Sequence, residues 1–536
     1  MIKAVRGTRD LLPPDTALWN FVEATARDVF RAYNFQEIRT PIFEATELFA
    51  RGVGEETDIV SKEMYTWWDA GQHPAIDLER SWREQYERNF DKLEIGERRE
   101  PSLPIDFVAF KGDEVFLIEL KYRGGAQVRQ AIRQLISARN AWLHANPTST
   151  KLRLILGTTV PQVEIAKSDV PPYIELQAVE LPPDYDPPQS LTLRPENTAG
   201  VVRAYIQHKL WDRGLNKVYY IGPQFRRERP QKGRYRQFYQ IGAEVIGPAS
   251  AGSESPARDA EVLEMLATLL DRLGISDWNL ELNSVGTPAD RAQFNEALRK
   301  ALEPVVGQMC DDCQRRAVTN PLRVFDCKVA EDQPIIERLP RITQFLSEDS
   351  RKHFADVQAI LTMVGVPFSL NDRLVRGLDY YTRTAFEFTH GALGAQNAIL
   401  GGGRYDGLSE ALGGPAAPGI GFAIGEDRLV MSLQEKTPAE SVLRKPDVYV
   451  APMSGMDGEA ARLARELRRH DLLIELGDAS FRLKKSFEAA TKVGAKYILI
   501  VGENEVQADA FALKNLATGE QVSVARGELA QKIQRG

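Results

Sequence analysis

The sequence predicts an α+β protein of several domains, on three observations. Its 536 residues are too many for one hydrophobic core. In the middle of the chain, strand-like runs face each other across short turns, as KVYYIGPQF and RQFYQIGAEVIG do, while helical periodicity is gathered into separate stretches. Toward the C-terminus the pattern changes to alternating strand and helix, the mark of a small α/β unit.

The elements follow in order. Residues 17–33 repeat apolar groups at helical spacing, and FQEIRTPIF then reads as a strand broken at Pro41. EMYTWWD (63–69) and SLTLRPE (190–196) read as two short strands that would pair, yet about 120 residues separate them, far beyond the 2–5 usual in a hairpin. That interval, 70–188, has its own helix–strand–helix pattern and a proline-rich exit, LPPDYDPPQS, so it reads as a domain inserted at a loop tip. A helix over 257–273 and the strand WNLELNSVG come next, and 288–365 is mostly helical. Strand-rich sequence returns from Leu374 to Leu400, with Arg376 and Tyr381 on one strand, followed by a glycine cluster and an apolar helix around Arg428. QEKTPAESVLRKP (434–446) is a polar linker, and DVYVAP, LLIELG and YILIVG alternate with helices beyond it.

Composition excludes several classes. Hydrophobic content of 43% and charged content of 27% are those of a water-soluble globular chain, and no apolar run approaches the roughly 18 residues of a membrane helix. MIKAVRGTRDLLPPD lacks the apolar segment of a secretory signal. Three cysteines argue against a disulfide framework and for a reducing compartment, so the expected location is cytoplasmic, with no membrane partner.

Against a formal charge of −7, the hairpin tip FRRERPQKGRYR places Arg226, Arg227, Arg229, Lys232, Arg234 and Arg236 together. Guanidinium groups grip phosphate bidentately, so this tip suits a polyphosphate or an RNA backbone. LTLRPENTAG adds Glu196 and Thr198, VRGLDYYTRTAFEF adds Arg376 and Tyr381, and GGGRYDGL with GIGFAIGEDRL adds small residues that admit a ligand, then Arg428.

Together these stretches resemble the histidyl-tRNA synthetase family of class II aminoacyl-tRNA synthetases. RGTRDLLPPD is similar to that family's opening, FRRERPQKGRYRQF to class II motif 2, VRGLDYY to its histidine signature, and GFAIGEDRL to motif 3, with Asp427 where the family usually has Glu. The resemblance covers about 1–69 and 189–536. It implies a class II antiparallel sheet with helices (1–69, 189–286 and 369–433), a helical insertion (287–368) that clasps the tRNA acceptor arm, and a C-terminal α/β anticodon-binding domain (446–536). It also implies a homodimer acting on L-histidine, ATP with Mg²⁺, and tRNA(His). Arg226 and Arg376 would meet the histidine carboxylate and the α-phosphate, and Arg428 the γ-phosphate. Arg234 would lie near the triphosphate or the tRNA end. Glu196, Thr198 and Gln240 would take the α-ammonium, Gln240 being counted with the two arginines as catalytic. Glu244 would accept an imidazole N–H, with Tyr380, Tyr381 and Tyr405 completing the pocket. Arg482, Lys484 and Lys485 would meet RNA phosphates. The rival reading is a non-catalytic, histidine-binding regulatory paralogue; such relatives lack the anticodon module and the signature arginines that this chain retains.

The insert carries its own signal. IDFVAF, a KGDE turn and VFLIELKY form a hairpin that places Asp106 near Glu119 and Lys121, the last two on one face because alternate strand residues share a face. This D…ExK arrangement resembles the PD-(D/E)xK nuclease superfamily, in which two carboxylates hold Mg²⁺ and the lysine orients water, with Glu79 or Glu84 as a further ligand. A nucleic-acid-binding or purely structural insert is the rival. Finally, CDDC at 310–313 and Cys327 invite a zinc reading, but a structural site takes four ligands. No fourth cysteine and no nearby histidine supplies one, so free thiols and no structural zinc are expected.

Overall fold

The structure is a computed structural model that describes residues 2–54, 57–69, 74–96, 102–121, 126–147, 151–159, 170–180, 189–231, 233–391, 398–434 and 437–535. Lys232 of the basic loop and the proline-rich exit 181–188 lie outside the described residues. The chain forms two compact units, one from 1–9, 29–268 and 277–427, the other from 10–28, 269–276 and 428–536.

The first unit is organised by an eight-stranded sheet. Its spatial order is Gln36–Glu37, Lys217–Phe225, Gln237–Ile246, Gly419–Gly425, Ala398–Arg404, Thr382–His390, Trp278–Ser284 and Ser369–Leu370. The central six strands pair antiparallel, and the two short edge strands pair parallel. Because side chains alternate along each strand, the register sorts the sheet into two unlike faces. One face carries the rows Tyr219, Ala243, Phe422, Gly402, Phe386, Leu282 and Ile221, Ile241, Ile424, Leu400, Phe388, Leu280. Apart from half-buried Ile221 these are buried, and they anchor the sheet by apolar burial. The other face carries Val218, Glu244, Gly421, Gly403, Ala385, Asn283, then Tyr220, Gly242, Ala423, Gly401, Glu387, Glu281. That face is small or polar, and the candidate site lies on it.

The broken strand predicted at Pro41 becomes two strands in different sheets. Gln36–Glu37 joins the large sheet, while Phe43–Ala45 pairs with Ser190–Leu193, which also pairs with Tyr65–Trp68. The ends of the long interval therefore meet: Asp69 N–H donates to Gln189 O (3.1 Å), and Gln189 N–H to Asp69 Oδ1 (2.8 Å).

Within the interval, a helix (Pro74–Tyr86), three antiparallel strands (Lys92–Ile95, Phe107–Lys111, Glu114–Lys121), a helix (Ala126–Ala145) and two parallel strands (Leu152–Thr158, Ile174–Ala178) form a five-stranded sheet in chain order. Each face has its own core. Trp82, stacked on Phe107 at 5.3 Å, centres one, and Leu117, Val128, Leu135 and Leu156 belong to the other.

Residues 288–364 are helices and short turns around Phe294, Leu298, Val324 and Ile336, as their sequence predicts. In the second unit, Val448–Pro452, Ile474–Leu476 and Tyr497–Val501 are parallel, and Ala510–Asn515 and Gln521–Ala525 extend the sheet antiparallel.

Candidate active site

Ser190–Leu193 ends at Arg194 and Pro195, and the helix Thr198–Gln207 begins directly after. Glu196 caps it from below. Its two carboxylate oxygens accept the N–H groups of Thr198 (2.7 Å) and Ala199 (3.0 Å), donors that a helix start leaves unpaired. Burial nevertheless raises the Glu196 carboxyl above its ordinary range.

The freed Thr198 hydroxyl donates to Glu244 Oε1 at 2.8 Å, and Tyr405 OH donates to Glu244 Oε2 at 2.8 Å. Glu244 is fully buried, and burial pushes its carboxyl up to about 8, with Glu196 adding to the rise and the two hydroxyls opposing it. Its neighbour across the sheet has to be glycine: a Cβ on Gly421 would lie 1.6 Å from Glu244 Oε2. Tyr405 likewise lies against Gly419, where a Cβ would meet its ring at 2.3 Å.

The same device admits the signature residues. A Cβ on Gly401 would lie 2.5 Å from the Arg376 guanidinium, and one on Gly403 would lie 2.8 Å from the Tyr381 ring. Arg376 lies over Gly401 and pairs with Glu387 on the adjoining strand (Nη1···Oε1 2.9 Å). The Tyr380 and Tyr381 rings sit 4.7 Å apart, with Tyr380 edge-on to Tyr405 at 6.0 Å. Arg376 and Tyr381 are not on a strand, contrary to the sequence reading. The strand begins only at Thr382, and 374–381 is a loop, its turn made by Gly377 and Asp379 rather than by β-formers. It is held by Asp379 N–H to Val53 O (3.2 Å) and by Arg323 Nη1 to Gly377 O (3.1 Å).

On the other flank, the basic tip 226–236 is a hairpin end between Lys217–Phe225 and Gln237–Ile246. Arg226 Nε donates to Pro195 O (2.9 Å), its guanidinium lies 5.3 Å from the Phe238 ring, and it acts electrostatically on Glu196. Gln240 is buried on the site face, and its Oε1 has no hydrogen-bond partner among the described residues. Arg234, half exposed, pairs with Glu228 at 3.1 Å. Interactions thus run from Arg226 through Glu196, Thr198 and Glu244 to Tyr381 and Arg376. Arg428 is the third residue of the helix Glu426–Gln434, at the start of the second unit. Arg482 precedes the helix Leu483–Lys492, and with Lys484 and Lys485 it is exposed; Lys485 Nζ lies 3.6 Å from the Phe481 ring centre.

Two features were missed. Tyr220 faces Gly242 and lies within electrostatic reach of Glu196, Glu244 and Tyr381. Its place two residues from Val218, the partner of Glu244, was a readable signal. The opening RGTRD straps the basic tip: Arg236 N–H donates to Gly7 O (2.7 Å), and Arg9 bonds Tyr235 OH (3.0 Å) and Asp427 Oδ1 (2.5 Å). Gly7 has φ +90°, and a Cβ there would strike Arg236. Asp427 also accepts Tyr239 N–H (3.2 Å), so its carboxylate ties motif 3 to motif 2.

In the insert, the register pairs Phe107 with Ile118, which brings Asp106 opposite Glu119. Asp106 accepts Leu120 N–H (2.6 Å), and Lys121 pairs with Glu119 Oε1. Glu119 is 1% exposed, and its Oε2 has no hydrogen-bond partner among the described residues. Burial first, then Asp106, pushes its carboxyl up to about 7. Glu79 pairs with Arg83 on its own helix, and Glu84 is exposed. No disulfide joins the three cysteines, and the reason for expecting no metal fails, because Asp332 lies against them as a fourth oxygen or sulfur donor.

An antiparallel sheet whose polar face is crossed by arginines from a hairpin tip and a signature loop is the platform of class II aminoacyl-tRNA synthetases. Known proteins then narrow the class. The family model described as histidyl-tRNA synthetase matches residues 174–429, and the anticodon binding domain matches 447–536. The chain is 56% identical to the histidine–tRNA ligase of Koribacter versatilis over 99% of this chain and 95% of that one. It is 46% identical to the histidine–tRNA ligase of Solibacter usitatus, over 99% of each. It is similar to the crystal structure of apo histidyl-tRNA synthetase from S. aureus (30% identity, all of both chains, TM-score 0.64). The chain belongs to the histidine–tRNA ligase family. These ligase relatives match nearly the whole chain, so the regulatory-paralogue reading is set aside.

Proposed function

We propose that this chain activates L-histidine with ATP and transfers it from histidyl-adenylate to the 3′ end of tRNA(His). The observation that carries the reading is the buried Glu244, held by Thr198 and Tyr405 between Arg226 on one flank and Arg376 on the other. A carboxylate accepts about four hydrogen bonds, so Glu244 keeps capacity for an imidazole N–H after its two hydroxyl donors, and Tyr381 serves the second ring nitrogen. A pocket that bonds both nitrogens rejects apolar analogues, whose binding would leave buried polar groups unpaired. Glu196 and the unpartnered Gln240 Oε1 suit the α-ammonium.

The attacking histidine carboxylate is already anionic, so no general base is required. Arg226 and Arg376 neutralise charge and hold carboxylate and α-phosphate in line. Arg428 takes the γ-phosphate, and Arg234 the triphosphate or the tRNA end. Mg²⁺ bound with ATP would neutralise phosphate charge as it develops. Glu63 and Glu228, whose carboxyls act on each other beside Arg226 and Arg234, would be its oxygen donors. Arg482, Lys484 and Lys485 would contact tRNA phosphates. Exposed Phe43 and Trp67, edge to face at 6.1 Å on the small sheet, suit a homodimer contact. Among the described residues no helix is long and apolar enough to cross a membrane, and with ATP and tRNA as substrates the expected location is the cytoplasm. Histidine-dependent exchange of pyrophosphate into ATP tests the reading; background exchange alone would refute it.

A second reading concerns the insert. Its order of helix, three strands, helix and two strands, with Asp106, Glu119 and Lys121 gathered at one strand end, supports a nucleic-acid-binding module of the PD-(D/E)xK kind. The orphaned Glu119 Oε2 beside Asp106 fits a divalent cation, which would there polarise a phosphodiester while Lys121 orients water. Incubation with RNA or DNA and Mg²⁺ tests it: cleavage lost in Glu119→Gln and Lys121→Ala supports the reading, and equal activity in both variants rejects it.

A further inference from the structure

Outside the synthetase site, the helical segment gathers Cys310, Cys313, Cys327 and Asp332, with ligand atoms all within 4.8 Å of one another. The spacing is Cys-x2-Cys, then Cys-x4-Asp. Three of the four are buried, and Cys310 is half-buried. The sulfurs of Cys310 and Cys327 are 3.8 Å apart, and Cys327 Sγ lies 3.2 Å from Asp332 Oδ2. A disulfide needs about 2.05 Å between sulfurs. A tetrahedral zinc ion with Zn–S of about 2.3 Å sets its sulfurs about 3.8 Å apart. The sulfur pair already stands at the second distance.

The surroundings suit a cation better than a set of thiols. Asp332 is 1% exposed and touches Cys310 and Cys327, which belong to or pack against the core of Met309, Val324, Phe325 and Ile336, and a buried carboxylate is costly without a positive charge. Its oxygens accept Cys310 N–H at 3.1 and 3.2 Å, and Val329 N–H points at Cys327 Sγ (3.4 Å). Cys310 and Cys313 stand one turn apart at the start of the helix Asp311–Thr319. Gln333 Nε2 ties down the third ligand's loop through Cys327 O (2.9 Å) and Val329 O (3.1 Å).

We propose that Cys310, Cys313, Cys327 and Asp332 form a closed tetrahedral site for one zinc ion. Three thiolates select a soft or borderline metal, and a full set of four protein ligands leaves no position for substrate, so the ion is structural. It fixes the helix Asp311–Thr319 against the turn Pro321–Asp326. From that pair Asn320 reaches Asp379 (2.9 Å) and Arg323 reaches Gly377 (3.1 Å), both just after Arg376 in its loop. The metal therefore braces the loop that carries Arg376. This last consequence rests on the proposed ligase reading, whereas metal binding does not.

Full-length protein prepared without chelators, analysed for metal and then reconstituted with Co²⁺, tests the site. The expected results are about one zinc per chain, thiolate-to-cobalt charge-transfer absorption, and tetrahedral visible bands. Cys310→Ser should lose about a third of the charge-transfer intensity, and Asp332→Asn should keep it while binding zinc at least about tenfold more weakly. Zinc removal should lower pyrophosphate exchange, with recovery on adding zinc. The proposal is overturned if wild-type protein holds no zinc and gives no charge-transfer band. It is overturned equally if the triple variant Cys310→Ser, Cys313→Ser, Cys327→Ser holds as much metal, or if Cys310 and Cys327 form a disulfide in the purified protein.

Discussion

Replacing Glu244 by glutamine isolates the buried acid. In the folded protein this carboxyl rises from 4.5 to about 8, chiefly through burial. A raised value means that the folded state holds the proton more tightly than the unfolded chain. The stability this contributes is complete below about 4.5 and is lost as pH climbs through about 8. The full loss is on the order of 5 kcal/mol, with about 3 kcal/mol of it falling between about pH 6 and about pH 9. Glutamine cannot ionise. The wild-type advantage over Glu244→Gln should therefore shrink by about 3 kcal/mol across that interval, read as the difference in urea midpoints multiplied by a common slope. The variant also replaces one acceptor oxygen of the imidazole pocket, and a neutral hydrogen bond there is worth about 0.5–1.5 kcal/mol, so its KM for histidine in pyrophosphate exchange should rise about 2- to 13-fold. Parallel stability curves from acid to alkaline pH, or an unchanged histidine KM, would refute the placement of Glu244.

Other perturbations probe the same architecture. Gly401→Ala drives a methyl to 2.5 Å from Arg376; the rate of pyrophosphate exchange should fall about 100-fold, the usual cost of an ångström-scale misplacement, with circular dichroism unchanged. Asp259→Ala strips the fully buried Arg404 of a carboxylate that also binds His353 (2.8 Å) and Thr384 (2.6 Å). Calorimetry should show a loss of about 1–3 kcal/mol, for the buried donors left unsatisfied, since Asp406 (3.1 Å) still pairs with Arg404. Excising 70–188 and joining Asp69 to Gln189 through a short glycine turn should leave exchange within about threefold, because those residues already bond each other; an abolished rate in a folded variant would tie the insert to the chemistry. Arg482→Ala with Lys484→Ala should raise the KM for tRNA and flatten its salt dependence by about two in slope, leaving pyrophosphate exchange intact.

Much of the fold was legible because it rests on period. In QFYQIGAEVI the alternation puts Gln240, Gly242 and Glu244 on one face and Ile241, Ala243 and Val245 on the other, and the structure realises this residue by residue. The hairpin IDFVAF–KGDE–VFLIELKY was equally local: its strands are Phe107–Lys111 and Glu114–Lys121. The loop 374–381 was misread as strand because Leu374, Val375, Tyr380 and Tyr381 are good β-formers, and what overrides them is tertiary, namely the bonds from Val53 and Arg323. Asp332 was invisible for a different reason. Seventy-five acids populate this chain, so a carboxylate five residues past a cysteine carries no signal until folding buries it against three sulfurs.

The glycine cluster shows why spacing alone undersold the site. Read along the chain, GGG suggests room for a ligand. Read across the sheet, Gly401, Gly403, Gly419 and Gly421 give way to Arg376, Tyr381, Tyr405 and Glu244 in turn. The protein's own functional side chains take up that room, each lying flat where a Cβ would lift it. A bulky residue at any of the four would shift the group above it before touching substrate. Small residues here leave space for Arg376, Tyr381, Tyr405 and Glu244, and if these side chains act as proposed, substitutions among the glycines should damage histidine recognition or phosphate alignment separately, according to which side chain each supports. On the proposed reading, Gly421 and Gly419 stand under the histidine pocket, at Glu244 and Tyr405, and Gly401 under the phosphate arginine, Arg376. An alanine at 421 should therefore act mainly on histidine KM and one at 401 mainly on turnover, a split that generic loosening of the sheet would not produce.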